Sequence, residues 1–152
     1  EDGAIFNGHG PGGIEGIIPS SPHEPVAVGS LEAWPIAVAK AKESLRAAGI
    51  GGPYVLAAGR SAYDELMSGS DEGYPLRKRV EQQLADGRIV WAPAVECAVL
   101  VSARGSDYEL TVGQDLSIGY AYHERDTVGI FLVESFTFRV LEPSAAVALR
   151  RA

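Results

Sequence analysis

The sequence predicts an α+β chain. Apolar residues recur at helical spacing in the first half, at Leu76, Val80 and Leu84 for example, and from Arg88 onward the period changes to two. The segments also come in the order helix, strand, two helices, then strands, which is not a repeating β–α–β pattern. Before residue 30 the chain is rich in Gly and Pro and reads as irregular.

Each segment has its own signals. Ser30 is placed to cap a helix over 31–48. Pro35 is compatible only with the first turn of that helix, so the ordered part can start one turn later. Gly49 supplies the stop. Residues 54–58 (YVLAA) read as a buried strand. Ser61 is placed to cap a short helix over 62–67, with Asp64 at the capping-box position. Ser68, Gly69, Ser70, Asp71, Glu72 and Gly73 then form a polar loop without an apolar anchor. Pro75 opens another helix at its favoured first position, and Asp86-Gly87 ends it. Strands follow at 89–91, 98–101, 108–112 and 117–120. A long one at 128–141 carries apolar residues on both faces, and a short one at 145–149 closes the chain.

Bulk properties exclude several roles. A chain of 152 residues can bury a sizeable core. Its net charge of −7 makes it a poor partner for nucleic acid or an anionic membrane. The basic residues cluster only at Arg77-Lys78-Arg79 and at the terminal Arg150-Arg151; the triplet shares its helix with Glu81 and reads as a solvated face. Cys97 is the single cysteine, so no disulfide forms within the chain and a cytoplasmic location is expected. It lies in an apolar stretch and reads as a small buried residue. No run of apolar residues approaches the length that spans a membrane. The chain starts without Met and with charged residues, and reads as a piece of a longer protein.

Chemistry-bearing patterns are few. Gly8-His9-Gly10-Pro11-Gly12-Gly13 fits G-x-G-x-x-G, but a phosphate loop needs a strand before it and a helix N-terminus after it. Here Gly16 and three prolines follow, so a connecting loop is the better reading. A Ser117–His123–Asp115 triad can be drawn, without any oxyanion-hole signature. His9 and His23 lie in Gly/Pro-rich sequence. Trp34 and Trp91 read as packing residues. No catalytic set, cofactor motif or metal-ligand spacing emerges.

Several short stretches together resemble one family, the encapsulin (linocin- or maritimacin-like) shell proteins, which share the fold of tailed-phage major capsid proteins of the HK97 type. They are Ala4-Ile5-Phe6-Asn7-Gly8 with Ile14-Glu15-Gly16-Ile17; Gly52-Pro53-Tyr54; Gly73-Tyr74-Pro75-Leu76; Arg104-Gly105-Ser106-Asp107-Tyr108-Glu109-Leu110; Gly113-Gln114-Asp115-Leu116-Ser117-Ile118-Gly119-Tyr120; and Asp126-Thr127-Val128 leading to Glu134-Ser135-Phe136-Thr137-Phe138. Gly8 and Gly16 belong to the pattern, whereas Gly10, Gly12 and Gly13 look like loop filling. Glu96-Cys97 stands where the family has an Asp-Gly-type turn.

The resemblance implies a structural, non-enzymatic subunit that self-assembles into an icosahedral nanocompartment. Such a shell encloses cargo enzymes, such as a peroxidase or a ferritin-like iron-storage protein, held by a C-terminal tail. It implies a peripheral-domain segment at 1–29, an axial domain at 30–112 and peripheral-domain strands at 113–152. It places Ser68, Gly69, Ser70, Asp71, Glu72 and Gly73 around a fivefold pore, and Asp115, Phe136 and Phe138 on the cargo groove. The family's N-terminal helix, extended loop and long spine helix would precede residue 1. The competing readings are a phage or prophage capsid protein, with nucleic acid as cargo, and a bacteriocin-like peptidase.

Overall fold

The computed structural model describes all residues, Glu1–Ala152. The chain runs through α1 (Asp2–Asn7), α2 (Ile17–Ser20), β1 (Val26–Val28), α3 (Trp34–Ala47), β2 (Tyr54–Ala58) and α4 (Arg60–Ser68). It continues through β3 (Ser70–Asp71), β4 (Tyr74–Pro75), α5 (Leu76–Glu81), β5 (Arg88–Trp91), β6 (Ala98–Ser102), β7 (Tyr108–Glu124), β8 (Thr127–Val140) and β9 (Ala146–Arg151). The expected helices are present with shifted bounds: Pro75 sits in β4 just before α5, and α5 stops at Glu81, ahead of Asp86-Gly87. The strands expected at 108–112 and 117–120 are one continuous strand, because β8 pairs along both of them. Ser30 makes no capping bond; a 3-10 turn at Leu31–Ala33 leads into α3, whose first turn holds Pro35. Helix α4 starts at Arg60, ahead of Ser61, because Gly59 is drawn against the 95–97 segment. Its N–H donates to the Cys97 carbonyl at 2.7 Å, and a Cβ there would lie 2.0 Å from the Val95 carbonyl oxygen.

Five strands make one mixed sheet in the order β1-β9-β6-β2-β5. Strand β6 is antiparallel to both β2 and β9, while β5 runs parallel to β2 and β1 parallel to β9. The passage from β2 through α4 and α5 to β5 is therefore a parallel crossover, which the block order of the sequence conceals. Both faces of the sheet are covered. Leu56, Ala58, Leu100, Val147 and Leu149 pack under α3, α4 and α5, with Trp34, Val38, Leu45, Leu66 and Val80 from the helices. Ala57, Val99 and Ala146 face the other way, against Ile14, Ile17, Val95 and Phe138. Alternation along each strand thus feeds two cores, which is why these strands read as continuous apolar runs.

The second core explains why residues 1–29 are ordered although they read as irregular. Ala4, Ile5, Phe6 and Ile18 lean on it, and burial against the sheet overrides the weak helix propensity of a Gly- and Pro-rich stretch. The segment crosses itself tightly. A Cβ on Gly16 would lie 2.3 Å from the backbone nitrogen of Gly8 and 2.6 Å from the Phe6 carbonyl oxygen. Gly8 has φ 85° at the same crossing, a conformation open mainly to glycine. Gly10 and Gly13 have nothing near their missing side chains. Gly8 and Gly16 are thus structural requirements, and the loop between them is closed by paired bonds between His9 and Ile14.

Strands β7 and β8 form a separate antiparallel ribbon, with register shifts around Gly113, between Gln114 and Ser117, and near Ala121. Its root is clamped. The Arg104 guanidinium reaches both carboxylate oxygens of buried Asp107 at 2.8–3.2 Å, and the Asp107 carbonyl accepts from the Leu141 and Glu142 N–H groups at 2.9 and 3.0 Å. Tyr108 stacks on Phe138 with ring centroids 6.2 Å apart. The expected bounds at 30 and 112 cut across these sheets: β1 and β9 share a sheet with β2, β5 and β6, and β7 runs through 112.

The self-crossing makes a sharp contrast testable by urea unfolding. Gly16→Ala is expected to cost about 1–3 kcal/mol through forced displacement, and Gly10→Ala less than about 0.5 kcal/mol. Equal effects would show that the crossing is not the constraint.

Candidate functional site

Two features stand out from the packed body: a short hairpin between α4 and α5, and the β7–β8 ribbon. The stretch expected as a loop is a hairpin with a two-residue turn. Ser68 ends α4, Gly69 caps it, and Ser70–Asp71 pair with Tyr74–Pro75. Glu72 and Gly73 make the turn with φ 51° and 80°, the pair of positive values that a tight hairpin needs. A nonglycine residue in this region is uncommon, and here it lifts the Glu72 carboxylate to the exposed tip. Asp71 is different. Arg79 Nη1 donates to its Oδ2 at 2.5 Å, and the Asp71 side chain is only 18 % exposed. The two carboxylates expected to act together are therefore one free charge and one paired charge. The hairpin base is anchored by buried Leu76, whose N–H donates to the Gly69 carbonyl at 3.0 Å.

The ribbon presents apolar side chains to solvent over most of its length. Leu116, Ile118 and Tyr120 on β7 and Val128, Ile130 and Leu132 on β8 are all exposed, Ile118 by 70 % and its cross-strand partner Leu132 by 64 %. The three residues expected on a groove fall into different settings. Phe138 is buried at the root and belongs to the core, because its cross-strand partner Leu110 and its neighbour Tyr108 mark the point where the ribbon meets the sheet. Phe136 is half-buried beside it. Asp115 is exposed in the bulged stretch between Gln114 and Ser117, and its Oδ1 accepts from the Leu116 N–H at 2.8 Å. A groove on this ribbon can use Asp115 and Phe136 as surface, with Phe138 as support beneath.

The triad drawn from sequence is not assembled. Ser117 stands opposite Val133 and its hydroxyl accepts from Gln114 Nε2 at 2.9 Å. His123 stands opposite Val128 near the ribbon end, roughly 20 Å farther along at strand rise. His23 is tied to the body through a 2.9 Å bond between its Nε2 and the Ser144 carbonyl. No group of three or more His, Cys, Asp or Glu side chains stands together as metal ligands. The G-x-G-x-x-G stretch sits between α1 and the four-residue α2, without the strand–helix frame of a phosphate loop.

The tryptophans part company. Trp34 is buried, and its Nε1 donates to Glu65 Oε2 at 3.1 Å. The Arg151 guanidinium pairs with the other oxygen of Glu65 and lies 5.7 Å over the Trp34 ring. Trp91, expected to pack, is instead 55 % exposed on the edge strand β5, beside Arg60, Tyr63 and Asp64. An edge strand has no neighbour to cover its outer side, and sequence does not reveal which strand is the edge. Cys97 is buried as expected, and burial pushes its thiol above the ordinary range despite the opposing pull of Arg151.

Comparison with known proteins places this architecture. Residues 1–137 match the family described as "Encapsulating protein for peroxidase". The chain is similar to the type 1 encapsulin shell protein of Brevibacterium linens, at 45 % identity over 98 % of this chain and 56 % of the relative. The corresponding protein of Rhodospirillum rubrum is 44 % identical over 99 % of this chain and 54 % of the relative. That of Mycobacterium tuberculosis is 38 % identical over 98 % and 56 %. Among solved structures, a virus-like particle from Pyrococcus furiosus superposes with a TM-score of 0.65 at 20 % identity, covering 84 % of this chain and 56 % of that one. A Mycobacterium phage Che8 structure superposes at 0.62 and 14 % identity, over 88 % and 54 %. The shared fold is the phage-capsid type that the sequence resemblance implied. The chain spans about half the length of the curated relatives it matches.

The Cys97 environment yields a direct test. Burial favours the neutral thiol, so its contribution to stability is present below the ordinary thiol pKa of 9.0 and is lost as pH rises through the higher folded value. At pH 8 a thiolate reagent is expected to label native Cys97 at least about tenfold more slowly than the urea-unfolded chain. Equal rates in both states would refute the burial.

Proposed function

This chain belongs to the family of encapsulating proteins for peroxidase, the encapsulin shell proteins, and on that premise we propose that it is a structural subunit that assembles with copies of itself into a closed cytoplasmic nanocompartment. The observation that carries this reading is the ribbon. Its side chains from Leu116 to Tyr120 and from Val128 to Leu132 form an apolar surface standing clear of two completed cores. A contiguous exposed patch of this kind marks an interaction surface. The body already buries both sheet faces, so the cover comes from further chain or from neighbouring subunits.

The roles of the parts follow. Residues 30–112 gather around the symmetry axes as the axial domain. The peripheral domain comprises residues 1–29 and 113–152, joined to the axial part through the shared sheet. The hairpin faces the fivefold opening, with Ser68, Gly69, Ser70, Asp71, Glu72 and Gly73 along the pore. One Glu72 per copy then surrounds the pore with carboxylates, which favours cations over anions. On the inner face, Asp115 and Phe136 contribute to a groove, floored by Phe138, that takes the C-terminal tail of a cargo enzyme. A peroxidase or a ferritin-like iron-storage protein suits that place. The polypeptide supplies enclosure and selective access, and the chemistry belongs to the cargo.

No helix is long and apolar enough to cross a membrane. The family model's own description names peroxidase as what is encapsulated, which favours a protein cargo over nucleic acid. The net charge of −7 points the same way, because a nucleic-acid container needs a cationic interior.

Light scattering on a sizing column, followed by negative-stain microscopy, tests assembly. The full-length parent protein is expected to form closed particles. The doubly substituted parent Ile118→Glu/Leu132→Glu is expected to remain as small oligomers with unchanged far-ultraviolet dichroism, since both side chains are exposed in the folded chain. A wild-type parent that stays monomeric, with amides protected across 128–141, would overturn the proposal.

A further inference from the structure

The hairpin at 70–75 cannot hold itself. Its ladder is two residue pairs long, Ser70 with Pro75 and Asp71 with Tyr74. Proline has no N–H, so one position of this ladder lacks a donor. Isolated two-stranded hairpins are marginal even when longer. The turn adds cost, with Glu72 in the left-handed region at φ 51°. Something outside the ladder must keep the tip in place.

Arg79 is in that position. It lies on α5, whose Leu76 and Val80 are fully buried, so its backbone is fixed by the core. Its Nη1 donates to Asp71 Oδ2 at 2.5 Å, and its Cζ lies 5.8 Å from the centre of the Tyr74 ring. Asp71 and Tyr74 are the cross-strand pair next to the turn. One guanidinium thus grips both strands at the last pair before the tip, by a charge-assisted hydrogen bond on one side and a cation–π contact on the other. Arg77, two residues earlier, is engaged elsewhere, with Glu81 at 2.6 Å. Gln82 Nε2 approaches the Tyr74 hydroxyl at 3.5 Å, a contact too long to replace the grip.

We propose that Arg79 is the positioning residue of the hairpin and that it sets how much charge the hairpin presents. By pairing with Asp71 it neutralises that carboxylate and leaves Glu72 as the single free acid at the tip. The inference deepens the pore reading above and rests on it for its consequence, since a lining with one free carboxylate per copy is a weaker cation filter than one with two. Arginine suits this position because its planar guanidinium reaches Asp71 through Nη1 while its Cζ lies over the Tyr74 ring; lysine keeps the charge but not that geometry.

The test uses hydrogen exchange on the chain and probe entry into assembled particles of the full-length parent. Arg79→Gln is expected to raise amide exchange across 70–75 about tenfold and leave the central sheet unchanged. Arg79→Lys is expected to fall between the two, which a purely charge-based role would not produce. In particles, Arg79→Gln is expected to increase the preference for a cationic over an anionic probe, while Glu72→Gln lowers it. Unchanged exchange in a folded Arg79→Gln chain would overturn the proposal. Raised exchange with no change in probe preference for either variant would leave the grip standing and sink the pore reading instead.

Discussion

Strand β9 is the constraint on which the rest of the structure depends. It is inserted between β1 and β6, antiparallel to one and parallel to the other. Strand β1 has no other partner in the sheet, so its place in the sheet depends on the last strand. Ala146 and Val147 face opposite cores, and both cores close only when β9 is in place. Ser21 strengthens the arrangement by donating to the Ala146 carbonyl at 2.7 Å, and His23 does so through Ser144. The Arg151–Glu65–Trp34 contact then pins the far end of β9 to the helical layer. Contacts this distant in sequence carry a large loop-closure cost and slow the folding of the whole chain.

That body separates two kinds of surface. The helical layer ends in the small hairpin, which is polar, braced and charged at one point. The opposite layer gives rise to the ribbon, which is long, apolar and gripped only at its root by Asp107 and the Tyr108–Phe138 stack. On the proposed reading the hairpin controls passage and the ribbon makes contacts between subunits. Each is anchored to a different core, the hairpin through Leu76 and the ribbon through Phe138.

Much of this was legible in the amino-acid order. The strands 54–58 and 98–101 announce themselves because both their faces are buried, and Leu76 and Val80 fix the inward side of α5, with Leu84 buried in the turn beyond it. Gly8 and Gly16 stood out by family pattern, and their mutual contact supplies the physical cause. Other features were hidden for definite reasons. The ordering of residues 1–29 depends on burial against a sheet formed by later sequence. The pairing of Asp71 with Arg79 depends on a hairpin that folds back onto α5, so eight positions of separation conceal it. Phe138 looked like surface because alternation on the ribbon does not say where the root ends and the free part begins. Trp91 looked like core because nothing local marks β5 as an edge.

The ribbon is also a lever. Seventeen residues of β7 at strand rise reach roughly 50 Å, less what the bulges take up. A swing of about 10° at the root would carry the far end through about 9 Å, with no change in the packed body. The register shifts, which include the stretch between Gln114 and Ser117, place further bending points along the arm. In the closed shell proposed above, such an arm would let one rigid body meet neighbours at different angles. Curvature would then be absorbed by elastic deflection of a thin beam, without repacking of the core.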